Sequence, residues 1–204
     1  MKRLFPIVAL VIVVAAAGLL FGFRQRIPEW NLPGLGQLIR DDSVWLAPYV
    51  ATPQEVVDRM LEMAEVRPTD VVYDLGSGDG RIVITAAKKY GARGVGFELD
   101  EKLVRRAQDH ARRAGVTRLV EFRQQDVMSV DLSPATVVTL YLLQDANLRL
   151  RPTILSQLPL GARVVSHKFH MGDWRPDRTE KVQATSGDVH TLYLWRIASR
   201  LPPG

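Results

Sequence analysis

The chain opens on an unbroken apolar run and then changes period. Leu4 to Phe23 reads LFPIVALVIVVAAAGLLFGF, with no charged residue in 20 positions. At ~1.5 Å per residue a helix of that length spans about 30 Å, the thickness of a bilayer's hydrocarbon core. A cleaved signal peptide is the rival reading. The run exceeds the ~7–15 residues of a usual signal core, and no small-x-small cleavage site follows it. The expectation is an uncleaved anchor over residues 1–23, a linker over 24–47, and a folded domain over 48–204. Pro28, Pro33, Gly34, Gly36 and Pro48 interrupt any regular period in the linker.

Past Tyr49 the pattern becomes that of a globular domain. Thr52-Pro53-Gln54-Glu55 has helix-start chemistry: Thr52 as cap, Pro53 in the first turn, Glu55 closing a capping box. Val56, Val57, Met60, Leu61 and Met63 then form an apolar face. Short apolar strands at Val71–Tyr73, Gly94–Phe97, Leu119–Phe122, Val137–Leu143 and Ala162–Ser166 are separated by helical stretches. These are Arg81–Tyr90 closed by Gly91, Glu101–Ala114 between Asp100 and Gly115, and Leu148–Leu158. Strand–helix alternation of this kind predicts a doubly wound, mostly parallel α/β sheet. The end differs. Lys181–Ala184 and Val189–Ile197 flank Thr185-Ser186-Gly187-Asp188, which predicts a closing antiparallel hairpin.

Composition changes this picture little. With 47% hydrophobic and 24% charged residues the chain is not of disordered type. The net charge of +5 is spread over many segments, which gives no concentrated nucleic-acid surface. Arg105, Arg106, Arg112 and Arg113 read as a solvated helix face. The absence of cysteine excludes disulfides, thiolate metal sites and a thiol nucleophile. His167 and His170 fit neither strand alternation nor a helix turn and have no acidic neighbour, so no metal site is expected.

The chemistry concentrates after the first core strand, in Asp74-Leu75-Gly76-Ser77-Gly78-Asp79-Gly80. A glycine-rich turn between strand and helix lets a ligand approach backbone whose amides face it. The spacing is G-x-G-x-G, not the G-x-G-x-x-G of dinucleotide binders. Asp74 and Asp79 put negative charge where a pyrophosphate would need the positive helix end uncontested. A cationic ligand suits them better. Glu98, ending the second strand, can accept hydrogen bonds from both ribose hydroxyls. Asp126, after the third strand, can accept one from an adenine amino group. Each acid alone reads as a loop acid or a cap. Three of them at the ends of successive strands beside a glycine loop make one site.

This series resembles the S-adenosylmethionine site of class I, seven-strand methyltransferases. More narrowly, PYVATP at 48–53, DLGSGDGRIVI at 74–84 and GVGFEL at 94–99 resemble the membrane-anchored lysine methyltransferases that act on the ATP synthase c subunit or the adenine nucleotide translocase, and their bacterial relatives. The resemblance covers about residues 48 to 197. It implies a Rossmann-like domain with S-adenosylmethionine as cofactor and a protein substrate at the membrane, while the spread of charge and the histidine spacing give no reason to expect nucleic acid or a metal as partner. It also implies that Gly76, Ser77, Gly78 and Gly80 cradle the methionine part, with Asp74 near its ammonium. Glu98 would hold the ribose and Asp126 the adenine, while Tyr49 and Thr52 close over the cofactor. The fourth strand departs from the amino-group methyltransferases of adenine or glutamine. Thr139-Leu140-Tyr141-Leu142-Leu143-Gln144 stands where those carry Asn or Asp, Pro-Pro and an aromatic residue. Tyr141 is the candidate for the substrate channel.

The expected reaction is an in-line displacement by a neutral amine, in which a desolvating channel lowers the lysine pKa and no dedicated general base is required. A lipid or hydrophobic small molecule is the alternative acceptor, and a non-catalytic binding module the third reading. Cofactor supply places the catalytic domain on the cytoplasmic face.

Overall fold

The computed structural model describes residues 49–198. Its elements follow the alternation in the sequence. They are α1 (Gln54–Met63), β1 (Val71–Leu75), α2 (Arg81–Tyr90), β2 (Arg93–Glu98), α3 (Glu101–Ala114), β3 (Val120–Gln124), a 3-10 turn (Val127–Ser129), β4 (Val137–Leu140), α4 (Gln144–Gln157), β5 (Arg163–His167), β6 (Arg178–Gln183) and β7 (Val189–Arg196). The seven strands form one sheet in the order β3-β2-β1-β4-β5-β7-β6. β1 to β5 pair in parallel, while β7 runs antiparallel to both β5 and β6. The fold is a seven-strand Rossmann-like sheet finished by an antiparallel hairpin.

Both faces of the sheet are covered, which explains why the strands read as continuous apolar runs. Successive residues point to opposite faces. Val72, Val137, Val165 and Leu194 pack with Val56, Met60, Leu61, Ile82 and Val83 from α1 and α2. Their neighbours Tyr73, Val138, Val164 and Trp195 pack on the other face with Leu150, Ile154 and Leu158 of α4.

Local chemistry fixes the element ends. The Asp100 carboxylate accepts from Lys102 N–H to start α3, and Gly115 in the left-handed region ends it. Gly91 closes α2 in the same way. The capping box expected for α1 does not form. Pro53 is its N-cap, with no side-chain cap bond. Thr52 turns instead to His167, and Glu55 accepts from Thr185 N–H at 2.6 Å, tying α1 to the β6–β7 turn.

Gly80 is demanded by packing. It has φ +80°, and a Cβ there would lie 2.5 Å from Phe122 Cζ and 2.8 Å from Ala107 Cβ. Gly80→Ala is expected to destabilise the protein by about 2–4 kcal/mol, from backbone strain plus overpacking. Urea unfolding measures this; an unchanged midpoint would mean that α2 and α3 shift apart freely.

The expected single-pass anchor, and with it the cytoplasmic placement of the domain, is corrected. Among the described residues no helix is long and apolar enough to cross a membrane. α3 and α4 have 14 residues each, about 21 Å at ~1.5 Å per residue, short of the ~30 Å required. Leu4–Phe23, on which the expectation rested, lies outside the described residues.

Candidate active site

Strand order reverses between β1 and β4, and in open α/β sheets the ligand crevice lies outside the carboxyl ends of the strands at such a point. The cleft is there. Its walls include Tyr49, Val50, Thr52, Asp74, Gly76, Ser77, Gly78, Asp79, Arg81, Glu98, Leu99, Leu103, Val127, Tyr141 and Leu142. Thus Tyr49, Thr52, Asp74, Gly76, Ser77, Gly78, Glu98 and Tyr141 converge, although they come from four separate stretches of chain. Gly80 and Asp126 are not on the wall. Gly80 sits behind it against α3. Asp126 is exposed and caps the 3-10 turn by accepting from Met128 N–H, while its neighbour Val127 reaches the cleft.

Asp74, the last residue but one of β1, is buried. Thr139 Oγ1 donates to its Oδ1 at 2.7 Å. Desolvation, opposed by that bond and aided by the nearby Glu98 and Asp79 charges, pushes its pKa up to about 7. A buried carboxyl so disposed has a standing demand for a cation. Glu98 braces the loop. Its Oε2 accepts from Gly78 N–H at 2.9 Å, and its Oε1 accepts from Leu99 and Asp100 N–H.

The loop amides do not face the cleft as expected. Gly76 and Ser77 N–H both donate to the Phe97 carbonyl, Gly78 N–H to Glu98, and Gly80 N–H to the Ser77 carbonyl. Asp79 accepts from Arg81 N–H at the start of α2. The amides of Gly76, Ser77, Gly78 and Gly80 are thus engaged within the protein. Asp74 and the cleft-facing oxygens remain, and these favour a positive ligand.

Arg81 is a site residue that the sequence reading did not single out, and Asp79 does more than its composition suggested. Arg81 donates through Nε and Nη2 to both Asp79 oxygens, at 2.9 and 2.7 Å, and through Nη1 to the Thr52 carbonyl at 2.7 Å. That fork fastens the Tyr49–Thr52 segment over the loop. A Cβ on Gly78 would lie 2.4 Å from the Tyr49 ring, so glycine is what lets the ring lie on the loop. The Arg81 guanidinium holds the Asp79 carboxyl below its ordinary range against the opposing effect of desolvation. The only hint in sequence is Asp-Gly-Arg closing the glycine loop. Tyr141 leaves the sheet one residue after β4, which the sequence reading extended to Leu143, and its ring lies 3.8 Å from that of His167.

Comparison with known proteins agrees with this geometry. The family described as ANTKMT methyltransferase domain matches residues 74–178, from Asp74 through the start of β6. The chain belongs to that family. A protein-lysine N-methyltransferase of Saccharolobus islandicus is 45% identical over 74% of this chain and 93% of its own. The mouse adenine nucleotide translocase lysine N-methyltransferase is 38% identical over 70% of this chain and 63% of its own, so the chain spans less than two thirds of that relative. Among solved structures, one from Salinibacter ruber, described as an RNA methyltransferase in complex with S-adenosyl-L-homocysteine, is 55% identical with a TM-score of 0.71. It covers 76% of this chain and 98% of its own. This chain is a S-adenosylmethionine-dependent enzyme of the protein-lysine N-methyltransferase family.

The residues present fit that cofactor on their own evidence. Ser77 Oγ, on the cleft-lining loop, is buried without a hydrogen-bond partner among the described residues, and the buried Asp74 carboxyl on the same wall is in no ion pair there. Gly76 and Gly78 hold the loop in left-handed backbone, with Leu142 and the Tyr49 ring packed where a Cβ would stand.

Proposed function

We propose that the cleft methylates the side-chain amine of lysine in a protein substrate, of the kind named for the chain's lysine methyltransferase relatives. The observation that carries this reading is kinship with the Saccharolobus protein-lysine N-methyltransferase, which this chain matches over 93% of its length. The cleft also sets apolar Val50, Leu99, Leu103 and Leu142 beside its acids, a lining that suits an aliphatic stem ending in an amine.

In this reading Asp74 and Ser77 hold the amino-acid end of the cofactor and Glu98 its ribose. Asp126, with one carboxylate oxygen free of the Met128 bond, takes the adenine amino group. The cofactor supplies an activated methyl group when bound. The chain supplies position and dryness. Tyr49, held over Gly78, covers the loop, and Tyr141 with Leu142 forms the opposite wall. The Tyr141 phenol is pushed above its usual pKa by burial and stays neutral, so it shapes the channel without charging it. An amine on that apolar path favours its neutral form, and the nitrogen lone pair is then aimed at the methyl carbon.

Two measurements test this. Calorimetry on the full chain is expected to show binding of S-adenosylmethionine and none of NAD, because Asp74 and Asp79 put negative charge where a pyrophosphate would lie; the reverse result would remove the cleft from this class. Mass spectrometry of cell protein incubated with chain and cofactor is expected to find added methyl groups on lysine; modification confined to arginine or to termini would contradict the proposed acceptor.

A further inference from the structure

Behind Thr52 and Tyr141 lies a polar chain that cofactor binding does not use. Thr52 Oγ1 is 3.3 Å from His167 Nδ1, and His167 Nε2 is 2.8 Å from His190 Nδ1. Thr52 lines the cleft, His167 is fully buried, and His190 on β7 is half-buried near Glu55 of α1. We propose that His167 and His190 carry away the proton that the substrate ammonium must lose, with the Thr52 hydroxyl as the first link. This rests on the lysine reading above.

The backbone at His167 is held in an uncommon shape. Lys168 has φ +72°, and Phe169 N–H donates to the His167 carbonyl at 2.9 Å, closing a three-residue γ-turn. For a residue with a side chain that turn is strained and persists only where its surroundings over-determine it. They do so here. Lys168 N–H donates to the Thr191 carbonyl, and the Phe169 carbonyl accepts from both Ser166 Oγ and Asn147 Nδ2. Ser166 and Asn147 are themselves fully buried. The clamp fixes the His167 ring between Thr52 and His190, with Tyr141 stacked against it.

The hydrogen bonds can run in either direction. In one, Thr52 O–H donates to His167 Nδ1, and His167 Nε2–H donates to His190 Nδ1. In the other every donor is reversed, which leaves the Thr52 hydroxyl free to donate into the cleft. A proton entering at one end and leaving at the other converts one arrangement into the other. Starting from the first, the N–H bond of the lysine ammonium breaks and its electron pair stays on nitrogen. Thr52 Oγ takes that proton as its own passes to His167 Nδ1, and the His167 Nε2 proton passes to His190 Nδ1. His190 then carries a proton on both ring nitrogens, and because its Nε2 is buried with no partner among the described residues, the ring must turn to give one up to solvent beside Glu55. The lone pair then forms the nitrogen–carbon bond while the carbon–sulfur bond breaks, its pair remaining on sulfur.

Desolvation, with lesser effects from His190 and Lys168, lowers the His167 pKa to about 4. The ring therefore stays neutral and conducts without holding the proton. The ionisable groups facing it are His190 from β7, Lys168 from its own turn and the Tyr141 phenol. His190 Nε2 is buried and has no hydrogen-bond partner among the described residues, so no partner locks the outer ring in one orientation.

The test compares the full-length wild type with His167→Gln and His190→Gln. It measures the initial rate of labelled-methyl transfer to total cell protein at saturating cofactor, from about pH 6.5 to pH 9.5. Near pH 7 the wild type is expected to be about 100-fold faster than either variant, the low end of positioned proton transfer. The ratio is expected to shrink towards unity as lysine, with a pKa of ~10.4, loses its proton in solution. Cofactor affinity by calorimetry is expected to be unchanged. A ratio constant with pH, or a parallel loss of affinity, would overturn the relay and leave a structural role. Nitrogen NMR of the rings gives a readout independent of turnover. His167 is expected to stay neutral down to about pH 5, and its signal to move in Thr52→Val. Titration in the ordinary histidine range, or no response to Thr52→Val, would also overturn the proposal. A wild type that labels no protein at any pH would refute the lysine reading and the relay together; protein labelling with a constant ratio would refute the relay alone.

Discussion

Asp74→Asn is expected to abolish tight cofactor binding while making the free protein more stable at pH 8. The asparagine carbonyl keeps the bond from Thr139 and removes only the charge. Removing one partner of a buried charge pair costs about 2–5 kcal/mol of binding, so affinity should fall at least about 30-fold. Stability moves the other way. The folded pKa, about 7, lies above the ordinary 3.8. Between those values the folded state holds more protons than the unfolded one, so wild-type stability falls as pH rises through that window. The melting temperatures of wild type and variant should therefore coincide below about pH 4, diverge up to about pH 7, and stay apart above it. The same linkage makes cofactor affinity weaken below about pH 7, because binding an ammonium beside Asp74 must then release a proton. Calorimetry in two buffers of different ionisation enthalpy measures that release. No proton release at pH 6, together with a less stable variant, would show that Asp74 is an ordinary structural acid.

Glu98→Ala is expected to weaken cofactor binding about 10- to 100-fold, at ~1.5–3 kcal/mol for a charged hydrogen bond and without additivity. Two losses combine. The variant would lack the proposed ribose acceptor, and it frees Gly78 N–H, Leu99 N–H and Asp100 N–H, which Glu98 now satisfies. Glu98→Gln should do nearly as badly, because an amide NH2 would face a backbone N–H that wants an acceptor. Asp79→Asn should cost less binding, since the Asp79 oxygens are turned to Arg81 rather than to the ligand. Equal affinities for wild type and Glu98→Ala would take Glu98 out of the site.

What could be read in the sequence follows from where the information is local. α2 and α3 were legible to the residue because Gly91, Asp100 and Gly115 mark their ends with side-chain and left-handed-backbone chemistry. Asp74 and Glu98 reach the cleft because each stands at the carboxyl end of a strand, whereas Asp126 is turned to capping the 3-10 turn and is not on the wall. α4 was read four residues late. Pro152 lies inside it, and its apolar positions do not repeat cleanly, so its first turn at Gln144 gives no local signal. The α1 capping box was a sound local inference that tertiary contacts overrode, since Thr52 and Glu55 found better partners in His167 and Thr185. No sequence spacing could bring together Thr52, His167 and His190, or Arg81 and the Thr52 carbonyl. Those contacts exist only after the sheet has closed.

The central claim is that this cleft transfers a methyl group to lysine in a protein. Its most direct test is to incubate the full chain with methyl-labelled S-adenosylmethionine and a cell extract, then separate protein, lipid and RNA. The account predicts label in the protein fraction, recovered after hydrolysis as methylated lysine, and lost with Asp74→Asn. Label recovered in RNA or lipid, with none in protein, would contradict it.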